Sequence, residues 1–423
     1  MNTQPSFLCS LWLIPALITT TIANDWPNWR GPNQNGSIAT GAFPSNWTTN
    51  NIQWKAKLPG KGTSVPIVHA KNIYLTSPSS GQDAVLAFDL AGKRLWESKL
   101  GPEAPPKHRS LASSGNASPV TDGKSIFVYF KSGNFAALDL NGNVRWNQNL
   151  VEKFGGENLF WDTGTSPVLT DQHVILARMH SGESFLAAFD KNTGEVKWKE
   201  PRNFKVPNEN DNGYTTPVLF DHNGKKAILV WGADHLTAHD ADTCKTLWTC
   251  DGFNPKGMSL WPHISTPVIS GNVAIVPAGR DDRNQASVHG IDLTNGKRLW
   301  QRDDTGVFVP TPAEFQGRVY LLRNKGEIVC LDPKNGKTHF TFQLAKHRTP
   351  YYASPVIANG LLYAAREDGA VFTAKIESEK ITLLCENDLG ERFVATPVPT
   401  NDRLLLRGDN HLYCIASAGN AHP

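Results

Sequence analysis

Cysteine is scarce and never paired along this chain: only six occur in 423 residues, and no two are adjacent. Without Cys9, which falls in the leading apolar segment, an odd number remains, so no disulfide framework is expected. Cys244 and Cys250 bracket one predicted strand, which would hold them about 20 Å apart, too far to bridge. The cysteines read as small buried hydrophobes. Neither sign of charge dominates, since 42 basic against 39 acidic residues leave a formal charge of +3. That balance excludes the electrostatic footprint of a nucleic-acid partner or of binding to an anionic membrane. There is no Gly-x-Ser-x-Gly elbow, phosphate-binding glycine loop or His-Glu-x-x-His zinc motif, so the common catalytic signatures are missing. Long apolar runs are also missing beyond the N-terminus, which predicts no stable transmembrane span in the mature chain.

Residues 1–23 have the organisation of a signal peptide. An apolar run starts at Phe7, is broken by Pro15, and ends in Thr21-Ile22-Ala23, a small-x-small site. No Lys or Arg precedes the run, so an uncleaved anchor stays open beside cleavage. The stretch before Cys9 is too short for a lipoprotein signal. A periplasmic or secreted protein is expected, with residues 24–423 as one domain.

What the chain does have is a repeat. A small residue or valine followed by Pro opens a short apolar strand at Pro66, Pro119, Pro167, Pro217, Pro267, Pro312, Pro355 and Pro397, at spacings of 42 to 53 residues. Each start leads into further apolar strands, the third of which usually ends in Asp. A glycine turn and a fourth strand, usually carrying Trp, follow. The second unit reads Ala117-Ser-Pro-Val120, Ser125-Ile-Phe-Val-Tyr129, Phe135-Ala-Ala-Leu-Asp139, Asn141-Gly-Asn143 and Val144-Arg-Trp146. The Asp carboxylate suits an Asx turn, the Trp a large packing surface, and the Pro an inner strand whose edge faces a channel. These features predict an all-β, eight-bladed β-propeller. The eighth unit ends at Tyr413-Cys-Ile415, without an outer strand, and Ile52-Gln-Trp54 has the form of the missing one. The N-terminus is therefore expected to close the ring and remove its open edge.

The Ala-Leu-Asp-x-x-Gly-x-x-x-Trp pattern resembles the tryptophan-docking repeat of the PQQ-like (pyrroloquinoline-quinone-like) propellers, and the resemblance covers nearly all of the mature chain. That family includes quinoprotein alcohol dehydrogenases and the propeller lipoprotein of the outer-membrane barrel-assembly machinery, the BamB-like branch. The dehydrogenase resemblance implies PQQ held above a Trp floor and beneath a disulfide between adjacent cysteines, with Ca²⁺ and an Asp base. This sequence has no Cys-Cys pair and lacks those enzymes' long inserts, so no PQQ, calcium or other cofactor is expected. Asp281-Asp282 and Asn208-Glu-Asn-Asp211 lack the spacing of a calcium loop and read as turn residues.

The stretches from Trp96, Trp146, Trp198 and Trp248 to the next Pro are long and the later ones brief, so one face is lopsided. The long loops carry Lys107-His-Arg109, Phe160-Trp-Asp162, Asn212-Gly-Tyr214 and Trp261-Pro-His263. Trp161, Tyr214, Trp261, His263 and Arg109 are candidate binding residues, with channel-plugging core as the alternative for the aromatics. Arg178, Arg323 and Arg366 fall eleven residues after Pro, with Arg407 at ten and Arg280 at thirteen. They form either a positive rim for carboxylate or phosphate groups or a set of local ion pairs between blades. The expected function is a non-catalytic exported scaffold that binds a protein, peptide or small anionic ligand. The alternatives are an assembly-factor role and a quinoprotein oxidoreductase.

Overall fold

The computed structural model describes residues 25–108 and 113–417, so the signal-peptide reading and Arg109 lie outside the described residues. Eight sheets form the blades, and in the first seven four consecutive strands run from near the axis outward. Blade one comprises Ile67–His69, Asn72–Ser79, Gln82–Asp89 and Arg94–Pro102. Blades two to seven follow in order. Blade eight has three strands of its own, Val398–Thr400, Arg403–Arg407 and His411–Ala416, and its fourth is Ile52–Lys57. Trp54 stands opposite Cys414 and Ile52 opposite Ile415, which is the closure expected from the sequence. Second and third strands such as Ser125–Tyr129 and Asn134–Asp139 are buried except for the half-buried Asp139 at the turn, because each blade is covered by neighbours on both faces. Outer strands such as Ile52–Lys57 alternate between half-buried and exposed.

The repeat residues make specific joints. Asp89 Oδ1 accepts from the amides of Ala91 and Lys93, capping the turn between third and fourth strands. The carbonyl after this Asp then accepts the indole N–H of the preceding blade's Trp: Trp54 to Leu90, Trp96 to Leu140, Trp146 to Lys191, Trp248 to Leu293 and Trp300 to Pro333, at 2.8 to 3.1 Å. The turn glycine lies under the same indole. A Cβ on Gly92, where φ is +81°, would lie 2.5 Å from the Trp54 ring. Glycine is needed here for the left-handed backbone and for space.

Blade four departs from this pattern. Cys244, at φ +58°, stands where Gly194 and Gly296 stand in their blades, and Trp198 Nε1 is buried without a partner. Blade seven departs further: Cys385 occupies the Trp register, opposite Thr373. Residues 36–51 cover that blade instead. Ser37–Ile38 adds a parallel fifth strand on its inner edge, Trp47 Nε1 donates to Thr373 Oγ1 at 3.0 Å, and Tyr363 donates to the Pro44 carbonyl at 2.6 Å. A tryptophan from outside the repeat thus packs where the repeat has none.

The residue before each Pro also has a task. The amide of Val65 donates to Ser118 Oγ, Ser118 to Ser166, Ser166 to Thr216, Thr216 to Thr266, Thr266 to Thr311 and Thr311 to Ser354, at 2.9 to 3.1 Å. This hydroxyl belt stitches seven successive blades around the channel and satisfies amides that an inner edge would otherwise leave unpaired.

The channel is closed from the tight-turn face by residues 25–38. Trp26 bridges to Val68, Pro27 O accepts from Thr121, and Asn35 O accepts from Glu314. Arg30, 1 % exposed, donates to the carbonyls of Pro355 at 3.1 Å and Pro312 at 2.8 Å. Its fork thereby supplies two donors to the inner strands of adjacent blades.

Candidate functional site

Above this stopper, on the face of the long loops, lies a funnel of about 370 Å³. Its construction follows from strand alternation: residues two apart on an extended segment point to the same side, so the residues one and three before each Pro face the axis. The lower tier is the belt, Val65, Ser118, Ser166, Thr216, Thr266, Thr311 and Ser354, together with Thr396. The upper tier is Thr63, Asn116, Gly164, Tyr214, Ile264, Val309, Tyr352 and Val394. Trp29 lines the stoppered side, and Trp161, Asp162, Arg280, Asp282, Phe308 and Asn324 line the wider part. The cavity therefore joins several aromatic surfaces to hydroxyls, amides and three charged groups.

One side of the mouth is built up into a wall. Phe160 N donates to Asn212 Oδ1 at 2.8 Å and Trp161 N to the Tyr214 hydroxyl at 2.9 Å. Leu260 N donates to Asn208 O and Trp261 N to Asn210 Oδ1, both at 3.0 Å. The loop 208–214 thus holds two equivalent apolar–Trp pairs, each seven and six residues before its Pro. Both leave the first residue in solvent, Phe160 at 54 % and Leu260 at 40 % exposure. His108 packs on Trp161 with ring centroids 4.1 Å apart. Burial pushes the Tyr214 phenol well above its usual range, so it stays a neutral donor and acceptor.

The charged groups that face the funnel are occupied. Arg280 grips Asp282 through two bonds, at 3.1 and 2.8 Å, with its guanidinium 4.4 Å from the centre of the Phe308 ring. Asp162 is buried, accepts from Lys107 N at 2.9 Å and pairs with Lys131 at 2.5 Å.

Of the candidates read from the sequence, the structure brings Trp161, Tyr214 and Arg280 to the funnel and places the other described ones elsewhere. Trp261 packs in the outer wall with its indole nitrogen buried. His263 is 5 % exposed, pairs with Asp234 at 3.1 Å and meets the edge of Trp231. Burial pushes the Asp234 carboxyl up, but hydrogen bonds from His263, Asn210 and Asn254 outweigh it and hold the group below its usual range. His263 is a staple inside the wall. The described arginines form no shared rim: Arg178 pairs with Glu157, Arg323 with Glu327 and Arg366 with Asp368, at 2.5 to 2.8 Å. Arg407 is buried against Ser64. Arg280, Arg323 and Arg366 each pair with an acid of their own blade, and Arg407 donates to Ser64 rather than to a carboxylate, so the partners are local but are not the expected set of ion pairs between blades. Asp281 is also structural, accepting from Asn324 N at 2.6 Å, and Asn210 donates to Asp234 and to the Met258 carbonyl.

Sequence reading missed Trp29, Asn116, Phe308, Asn324 and Tyr352. Asn116 and Tyr352 were legible three residues before Pro, on the register that also holds Tyr214. Trp29 had only the density of Trp, Pro and Gly in Trp26-Pro-Asn-Trp-Arg-Gly-Pro32 as a signal.

A family model described as outer membrane protein assembly factor BamB matches residues 44–219, 186–306 and 284–381. The chain belongs to this family. The overlapping matches reflect the repeat. Among solved structures, BamB from Moraxella catarrhalis is 16 % identical with a TM-score of 0.63, covering 86 % of this chain and 98 % of its own. A europium-containing methanol dehydrogenase is 13 % identical with a TM-score of 0.71, covering 93 % and 98 %. Quinohemoprotein alcohol dehydrogenase from Comamonas testosteroni is 14 % identical with a TM-score of 0.67, covering 92 % and 80 %. At these identities the likeness concerns the fold, which has hosted both binding and redox proteins. No curated protein matches.

Proposed function

We propose that this protein is an exported, non-catalytic binding propeller that receives a ligand, or the projecting side chains of a protein partner, at the funnel on its long-loop face. The observation that carries this reading is the funnel itself: concave, rich in aromatic surface, open at the built-up mouth and stoppered beneath by Trp29 and Arg30. Such pockets with a few fixed polar groups are the usual form of a binding site. Membership of the assembly-factor family favours a protein as the partner, and Phe160 and Leu260 supply exposed apolar contacts on the wall.

The donor set does not fit PQQ with calcium. An indole closes the inner end, but the described cysteines lie within the blades and none lines the funnel. Its carboxylates are engaged by Lys131 and Arg280. The described residues contain no group of three His, Cys, Asp or Glu arranged for a metal.

Photo-crosslinking from position 160, in envelope extract of the cells that make the protein, tests the binding reading. Discrete adducts are expected from position 160 and not from position 141 on the opposite face. They should be lost in Trp161→Ala/Arg280→Ala with the melting temperature nearly unchanged. No adducts, or the same adducts from both positions, would remove this face from consideration. Titration with PQQ and Ca²⁺ should give no saturable absorbance change; saturable binding with alcohol turnover would overturn the non-catalytic assignment.

A further inference from the structure

Outside the funnel, a second concavity of about 680 Å³ opens on the same face, bounded by the Asp281–Asn284 turn of blade five, the Arg323–Glu327 hairpin of blade six and the 343–348 segment leading to blade seven. Its lining is rich in basic side chains. Arg178, Arg280 and Arg366 each sit in an ion pair, and within the cleft Arg323 is held by Glu327 and His347 by Asp368. Lys325, Lys346 and Arg348 also line the cleft, are exposed, and have no carboxylate within ion-pairing distance among the described residues. Three uncompensated cations, borne on two separate segments, repel one another unless an anion lies between them.

We propose that this cleft docks an acidic segment of a partner polypeptide. A small phosphate is recognised by convergent donors, typically an arginine fork or a nest of backbone amides. Here the half-buried fork, Arg323, is already engaged, and the free cations are dispersed along an open cleft. Dispersed point charges suit a chain carrying several carboxylates, and the Asn284 side-chain amide along the wall can meet the backbone of such a chain, whereas the Gln343 NH2 is held by the carbonyls of Lys325 and Leu344. The site is separate from the funnel, so either can fail without the other.

Fluorescence anisotropy of a labelled decapeptide of alternating Glu and Asp, with the full chain, tests the proposal. Binding is expected at about 50 mM salt and should weaken about tenfold as exposed charges are screened toward 200 mM. Lys325→Glu/Lys346→Glu/Arg348→Glu should weaken it about tenfold or more without moving the melting temperature. Lys225→Glu/Lys226→Glu, on the opposite face, should leave it unchanged. No binding, equal loss in both variants, or displacement by inorganic pyrophosphate at concentrations matching those of unlabelled peptide would overturn the assignment, the last by showing a site for small anions.

Discussion

Trp54 Nε1 donates to the carbonyl of Leu90 at 2.8 Å, joining the outer strand of the last blade to a turn of the first. The ring is closed by the same joint that connects its interior blades. Trp54→Phe should cost about 1 kcal/mol, the net value of one hydrogen bond, and Trp54→Ala about 3 kcal/mol through lost packing. Denaturant midpoints measure both. An Ala variant as stable as the parent would mean that the seam is held by strand pairing alone.

Cys244 holds the left-handed turn position that glycine holds in blade three or five, and Trp198 beside it lacks a partner for its indole nitrogen. Cys244→Gly should relieve a backbone cost of roughly 1–3 kcal/mol, offset in part by the greater freedom of glycine in the unfolded chain. A net gain of about 1 kcal/mol is expected, with slower exchange of the Trp198 indole proton as it docks on the Ala241 carbonyl. The reciprocal Gly296→Cys should destabilise. A loss of stability in Cys244→Gly would refute the docking explanation.

Arg30 is wholly buried, and burial lowers its pKa to about 9. No carboxylate among the described residues offsets that cost, so its two carbonyl bonds and the packing around it must. Arg30→Lys keeps the charge but loses the fork, and should destabilise by about 3 kcal/mol, as expected when buried acceptors lose a charged donor. Thermal melts of Arg30→Lys and Arg30→Met separate charge from shape. A Lys variant that melts with the parent would show that the fork is not what holds the stopper.

Asp83 is fully buried, and burial raises its carboxyl from 3.8 to about 6 despite hydrogen bonds from Ser132 and Asn134. The folded state therefore holds a proton that the unfolded chain releases at lower pH. The sign is that stability falls as pH rises from about 4 to about 6 and then levels. Asp83→Asn removes this fall. Relative to the parent, it should gain roughly 2 kcal/mol between pH 4 and pH 7, read from denaturation at both values. A constant difference would show that Asp83 titrates alike in both states.

The propeller, its blade count and its closure were legible because Pro, Asp, Gly and Trp recur with fixed tasks, and periodic tasks leave a periodic trace. Of the candidate residues, Trp161, Tyr214 and Arg280 line the funnel, whereas Trp261 and His263 pack within its wall. Loop composition identifies aromatic and polar residues but not the direction they face. Aligning the blades eleven residues after Pro picked out arginines that pair locally, whereas the register three residues before Pro leads into the funnel.

The sequence by itself determined the ring: each repeat encodes a sheet, a capped turn and a surface for its neighbour, all set by residues within one or two blades. Only the tertiary structure decided what occupies the middle of that ring. Trp29 and Arg30 reach the channel by contacts with strands some 280 to 325 residues distant in the chain, and no local pattern encodes such a meeting. The inner edges of the blades present unpaired carbonyls and amides to the axis, and a segment outside the repeat meets part of that demand, leaving a funnel where an open channel would otherwise run.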